Sequence, residues 1–98
     1  MSEIIQYKDK TILRFKHDLV ASTASDVKKE LKELVDAGQR VAVDLENVHM
    51  VDSTGIGLLM AAHNSLQKNE QNLEVLNASN DIRKLFHTMR LDKRFVMD

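Results

Sequence analysis

Length, composition and charge narrow the class of protein to which this chain can belong. Its 98 residues are enough for a single hydrophobic core, so we expect residues 1–98 to form one domain. Fourteen Lys and Arg residues against fifteen Asp and Glu residues give a net charge of −1, which offers no broad attraction to nucleic acid or to an anionic membrane. The absence of cysteine excludes disulfides, a thiolate nucleophile and a thiolate zinc site.

The sequence predicts neither a secretory signal nor a membrane span. Residues 1–6 lack a cationic stretch followed by a long apolar run, and no segment approaches the length needed to cross a bilayer. We therefore expect a soluble, cytoplasmic protein whose partners are other proteins.

The first part of the chain predicts a β-hairpin followed by a helix. Two apolar runs at residues 4–7 and 11–15 predict the strands, with a tight turn at Asp9-Lys10. Thr23, followed three residues later by Asp26, resembles a capping box and marks the start of the helix. The helix has one apolar stripe and a glycine stop. The stripe and the stop are Val27, Leu31, Leu34, Val35 and Gly38.

The rest of the chain alternates between strand and helix. A second helix with a wide apolar arc is expected over about residues 54–68, and Ser79 or Asn80 can cap a third. The mostly apolar run at residues 41–45 predicts a strand covered on both faces, at the centre of the sheet. The other predicted strands lie at residues 73–76 and 94–97.

The resulting element order is ββαβαβαβ, which predicts the α/β class. We expect a mixed, mostly parallel central sheet of about five strands with three main helices packed on it. The strand–helix–strand units require right-handed crossovers.

The most informative motif is Asp52-Ser53-Thr54-Gly55-Ile56-Gly57, where a strand-like run ends and the second helix begins. The first-turn N–H groups of a helix lack partners within it and attract a phosphate or a capping oxygen. Ser53 is therefore the candidate phosphorylation site, with Thr54 a minor candidate. A serine in this position is more often only a cap. Asp52 can either cap the helix or orient Ser53, and both interpretations stay open.

Together with Val43-Asp44-Leu45, Val51 and the apolar helix that follows, this motif resembles the STAS domain of bacterial anti-sigma factor antagonists. The pattern at residues 82–86, followed by Met89 and Leu91, is similar to the third helix of that family. The resemblance covers nearly the whole chain and implies a STAS-like fold.

The resemblance also implies a function. The serine directly after the aspartate, here Ser53, would be phosphorylated by an anti-sigma factor that is also a serine kinase of the GHKL type. The unmodified form would bind and sequester that partner and free a sigma factor, and a PP2C-type phosphatase would reset the switch. His17-Asp18-Leu19-Val20 departs from the Gly-Glu-Leu-Asp of many relatives, which leaves the identity of the partner open.

A phosphate on Ser53 would add about −1.5 to −2 charges beside Asp52 and so penalise partner binding, while in the free domain it could rest against the helix N-terminus.

We expect a monomer whose loop exposes a small apolar patch of Leu19, Val20 and Ile56. The glycines of the motif would let another backbone approach. The expected partner-binding residues are Leu19, Val20, Asp52, Ser53, Thr54, Gly55, Ile56, Gly57 and Met60.

The sequence predicts no catalytic residue, metal site or cofactor. No His-x-x-x-His pair occurs, and Val51 stands where a nucleophile elbow needs glycine. Met60 stands where a dinucleotide fingerprint after Gly55 and Gly57 needs glycine or alanine. Asp44, at a strand end, is expected to accept bonds from loop amides. A regulatory binding module is therefore favoured over an enzyme, the alternative being a constitutive STAS-like scaffold or accessory subunit of a signalling or lipid-transport complex.

Overall fold

The computed structural model describes residues 2–98, which form five strands and three α-helices in the expected order. The strands are β1 (Glu3–Gln6), β2 (Lys10–Arg14), β3 (Arg40–Asp44), β4 (Glu74–Leu76) and β5 (Val96–Met97). The helices are α1 (Ala24–Asp36), α2 (Ser53–Gln67) and α3 (Asn80–Thr88). Within residues 2–98, no helix is long and apolar enough to cross a membrane.

The strands lie in the sheet in chain order, from β1 to β5. β1 pairs antiparallel with β2, and every later neighbour pairs in parallel, with Leu13 opposite Val43 and Val43 opposite Val75. The mixed, mostly parallel sheet is therefore confirmed. Because successive right-handed crossovers advance in one direction along this sheet, they place all three helices on the same face.

The core lies between that face and the helices. Alternate strand positions, including Leu13, Val43 and Val75, contribute to one cluster together with Leu59 of α2 and Phe86 of α3. β3 is buried at every position from Val41 to Asp44, as expected for the central strand. The opposite face carries cross-strand ion pairs. These are Lys10–Glu74 at 3.2 Å, Arg40–Glu74 at 2.9 Å and Arg14–Asp44 at 3.0 Å.

Two local predictions are confirmed and two are wrong. Gly38 ends α1 with φ of +80°, and Ser79 caps α3 by accepting the N–H of Ile82 at 3.2 Å. The hairpin turn, however, lies one residue earlier than expected, because Lys10 already belongs to β2. The capping box at Thr23 is also absent.

The Thr23 hydroxyl makes its bonds to the preceding loop. It donates to the backbone oxygen of Asp18 at 2.6 Å and accepts the N–H of Val20 at 3.2 Å, and it makes no cap bond to α1. A single 3-10 turn, Ala21–Thr23, therefore separates this loop from α1. The turn was not expected, and it brings the loop against the start of α2.

Candidate functional site

Asp52, and not Ser53, caps α2. Asp52 has extended backbone angles, its Oδ1 accepts the N–H of Gly55 at 3.0 Å, and its carbonyl accepts the N–H of Ile56 at 2.9 Å. Ser53 is the first residue of the helix, its side chain is exposed, and its hydroxyl makes no hydrogen bond within residues 2–98. The interpretation of Ser53 as only a helix cap is therefore wrong, and the capping role proposed for Asp52 is confirmed.

The second carboxylate oxygen of Asp52 joins α2 to the loop that precedes α1. Oδ2 accepts the N–H of Ala21 at 3.0 Å, at the start of the 3-10 turn. Nearby, Asp18 makes the reverse connection, since its Oδ1 accepts the N–H groups of His49 at 2.8 Å and Met50 at 3.2 Å. Asp18 and Asp52 thus each accept backbone N–H groups of the other's segment, and together they tie the loop before α1 to the segment that leads into α2.

A parallel backbone bridge between Leu19 and Val51 completes this connection. The N–H of Leu19 donates to the oxygen of Met50 at 3.0 Å, and the N–H of Asp52 donates to the oxygen of Leu19 at 3.1 Å. Residues 18–21 and 49–55 therefore form one rigid unit, which holds Ser53 in place.

The charge state of Asp52 follows from its hydrogen bonds. The N–H of Gly55 in the first place, with those of Ala21 and Thr54, lowers the pKa of Asp52 below its usual value, and these bonds outweigh the opposing effect of burial. Asp52 is consequently ionised at neutral pH, and its Oδ1 occupies one first-turn amide of α2, that of Gly55. The resting place that we expected for a phosphate on Ser53 is therefore partly taken by this carboxylate.

The two glycines of the motif differ in their surroundings. Gly55 is buried against the backbone of Leu19, and a Cβ atom at this position would overlap the Leu19 carbonyl. A close backbone approach is therefore confirmed at Gly55, although the approaching backbone belongs to the same chain. Gly57 is exposed, and a Cβ atom there would meet no atom within 4 Å.

The expected exposed patch of Leu19, Val20 and Ile56 is wrong. Leu19 is fully buried and Ile56 is 7% exposed, because both side chains enter the core. Only Val20 remains partly exposed. Leu19 and Ile56, like the buried Gly55, therefore position the site and do not present their side chains to a partner. The exposed members of the predicted surface are Ser53, Thr54 and Gly57, with Asp52, Val20 and Met60 half-buried.

Met50 is the surface residue that the sequence did not reveal. Its side chain is 60% exposed, two residues before the Asp52 cap. The neighbouring apolar residues Val48 and Val51 are buried. No period in this short loop indicates which of the three side chains faces water, so the sequence carries no signal for it.

The remaining polar candidates have structural surroundings. Asp44 accepts the N–H of Glu46 at 3.0 Å, as expected, and also pairs with Arg14. His63 is buried, and its Nδ1 accepts the N–H of Leu73 at 3.2 Å. Burial, followed by the charge of Arg94, lowers the pKa of His63.

Comparison with known proteins places the fold and this motif in a family. The model of the STAS domain matches residues 2–98, and the chain belongs to the STAS domain family. It is 34% identical over 70 residues to the anti-sigma-B factor antagonist of Staphylococcus aureus (strain NCTC 8325 / PS 47). That match covers 70% of this chain but 65% of the relative, so the chain spans slightly less than two thirds of the relative's length.

Solved structures share the whole fold. An anti-sigma factor antagonist from Mycobacterium paratuberculosis has a TM-score of 0.88 at 20% identity, covering 99% of this chain and 83% of that one. The Bacillus cell fate determinant SpoIIAA, in its phosphorylated form, has a TM-score of 0.75 at 17% identity, covering 100% of this chain and 91% of that one. The predicted STAS-like architecture is therefore confirmed.

Proposed function

We propose that this STAS domain is an anti-sigma factor antagonist, a regulatory binding module and not an enzyme, whose unphosphorylated form binds and sequesters an anti-sigma factor in the cytoplasm. The name of the Staphylococcus aureus relative and the descriptions of the structural neighbours support this activity. Phosphorylation of Ser53 switches the binding off.

The observation that carries the switch is the division of roles between Asp52 and Ser53. Asp52 caps α2, which leaves the Ser53 hydroxyl exposed at the start of the helix and, among residues 2–98, without a hydrogen-bond partner. A kinase can therefore reach this hydroxyl without unfolding the helix, and its phosphorylation removes no bond that the fold needs. Thr54 is exposed beside it and remains a minor candidate.

Electrostatics gives the direction of the switch. A phosphate on Ser53 adds about −1.5 to −2 charges next to the ionised Asp52, whose Oδ1 already accepts the N–H of Gly55. Because the Ser53 side chain is exposed, the phosphate lies on the surface that faces a docked partner. An interface that fits the neutral hydroxyl then has to bury this charge or expel it, which is unfavourable.

The surface that would contact the partner surrounds Ser53. We call it the phosphosite surface. It consists of Val20, Met50, Asp52, Ser53, Thr54, Gly57 and Met60, of which Met50 is the most exposed apolar member.

The partners follow from this role. The kinase is an anti-sigma factor of the GHKL type that the domain also sequesters, and a PP2C-type phosphatase removes the phosphate. The free domain is a monomer and needs no nucleic acid or membrane.

The proposal is tested by recovering the partner with the tagged, unmodified domain from its own cells and measuring its affinity for Ser53 variants. Ser53→Ala should bind like the unmodified domain, whereas Ser53→Asp should bind at least tenfold more weakly, as a charge placed in an interface does. Ser22, an exposed serine of the neighbouring 3-10 turn, provides the matched control Ser22→Asp. Equal affinity of both Ser53 variants would favour a constitutive scaffold or accessory subunit.

A further inference from the structure

α2 carries no Asp, Glu, Lys or Arg in its fifteen residues, although these residues make up 30% of the chain. α1, which packs beside it, has seven such residues among thirteen. Yet α2 is not enclosed, because Gly57 and Ala61 are exposed and Leu58 is half-buried. Depletion of charge on an exposed apolar surface is typical of the centre of a protein interface.

A groove runs between α1 and α2 on this side of the molecule. Its volume is about 230 Å³, and its floor is apolar. The lining residues are Lys28, Leu31, Lys32, Val35 and Asp36 of α1, with Leu58, Ala61, Ala62 and Ser65 of α2. We call it the α1/α2 groove.

The groove continues from the phosphosite surface. Leu58 follows Ser53 by five residues, about 8 Å along a helix, and Ser65 lies about 18 Å from Ser53 by the same measure. Since both helices follow parallel strands, their N-terminal ends lie at the same edge of the sheet. Lys28, near the start of α1, therefore marks the end of the groove closer to Ser53.

The rim of the α1/α2 groove carries lysine side chains that can attract an acidic group on a bound molecule. Lys32 pairs with Asp36 on its own helix at 3.4 Å, whereas Lys28 has no carboxylate partner within the described residues. An unpaired cation beside an apolar floor fits a helix that is apolar on one side and has an acidic residue at its edge.

We propose that the α1/α2 groove binds such an acidic-flanked helix of the same regulator that the phosphosite surface engages. The inference rests on the proposed function and extends its interface along three turns of α2. It also strengthens the switch, because the phosphate on Ser53 repels the acidic edge that Lys28 attracts.

Site-specific photocrosslinking in the chain's own cells tests this placement. Benzoylphenylalanine replaces Met50 at the phosphosite surface, Ala61 in the groove, or Lys29 on the other side of α1, where Lys29 lines a separate concavity with Glu33. We expect the same partner to be linked at positions 50 and 61 but not at 29, with the position 61 adduct mapping to an apolar, acid-flanked segment.

A link at position 50 without one at 61 would overturn the groove proposal and leave the proposed function intact. No link at either position would contradict both. Linkage at position 29 as well would show unselective contact and overturn the groove proposal. An adduct of small mass at position 61 would assign the groove to a small amphipathic molecule instead.

Charge reversal gives the quantitative test with the recovered partner. Lys28→Glu should weaken its binding roughly tenfold and Lys29→Glu should leave it unchanged, because the two lysines are adjacent but face different sides of α1. Equal effects of the two reversals would overturn a specific role for the groove.

Discussion

The carbonyl oxygen of Leu19 lies inside the space that a Cβ atom at Gly55 would need. Such a Cβ atom would also lie only 2.8 Å from the Cβ of Leu19. The same carbonyl accepts the N–H of Asp52 at 3.1 Å. The loop before α1 is therefore seated directly on the first turn of α2. The geometry of the phosphosite surface depends on this contact between two buried, uncharged residues.

Substitution of Gly55 by alanine should damage this contact. In Gly55→Ala the new methyl group overlaps backbone atoms of Leu19, which cannot move aside as a flexible side chain can. We expect the free energy of unfolding to fall by about 1–3 kcal/mol. Gly57→Ala is the matched control, because its new methyl group meets no atom and alanine favours helix by about 0.5–1 kcal/mol. Urea unfolding checks both. Equal stability of the two variants would contradict the packing described.

The burial of Leu19 gives a second stability prediction. Leu19→Ala should cost about 2–5 kcal/mol, the range for a fully buried leucine, because it leaves a cavity in the core. Val20→Ala, at the partly exposed next residue, should cost much less. A small effect at Leu19 in urea unfolding would mean that the side chain lies at the surface after all.

The Asp52 cap predicts a dependence of stability on pH. Hydrogen bonds lower the pKa of Asp52 in the folded state, so its contribution is present above the usual value of 3.8 and is lost as the pH falls through that value towards the lowered one. Asp52→Asn removes this dependence. We expect the gap between the urea midpoints of the parent and the variant to be larger at pH 7 than at pH 3. A gap that stays constant would contradict the ionised cap.

Buried His63 predicts a second dependence nearer neutral pH. Because burial lowers its pKa, the unfolded chain takes up a proton that the folded chain refuses, and stability falls as the pH drops below the usual value of 6.5. His63→Gln should flatten the decline in urea midpoint between pH 7.5 and 5.5. His49→Gln, at an exposed position, is the control and should not. The same slope in all three proteins would rule out this role for His63.

The sequence predicted the fold well because apolar periodicity is a local signal. The stripe of Val27, Leu31 and Leu34 places α1, and the fully buried run of β3 places the sheet centre. Local periodicity could not predict the burial of Leu19, because that burial depends on a backbone bridge to Val51, thirty-two residues away.

The local sequence also could not decide which residue caps α2. Asp52 and Ser53 can both cap a helix, and the outcome depends on where helical angles begin. The Thr23 side chain does not cap α1, because its hydroxyl donates to the carbonyl of Asp18 instead. The motif predicted Ser53 as the phosphorylation site, and the structure adds that its side chain is exposed and that its hydroxyl makes no hydrogen bond within residues 2–98.

The proposed switch requires a reversible phosphate on Ser53. Its most direct test is the intact mass of the domain isolated from its own cells under several growth conditions, with peptide mapping and a Ser53→Ala control. We expect a single phosphate on Ser53, with an occupancy that changes between conditions and is lost in the variant. Absence of phosphate in every condition, or its location at another residue, would contradict it.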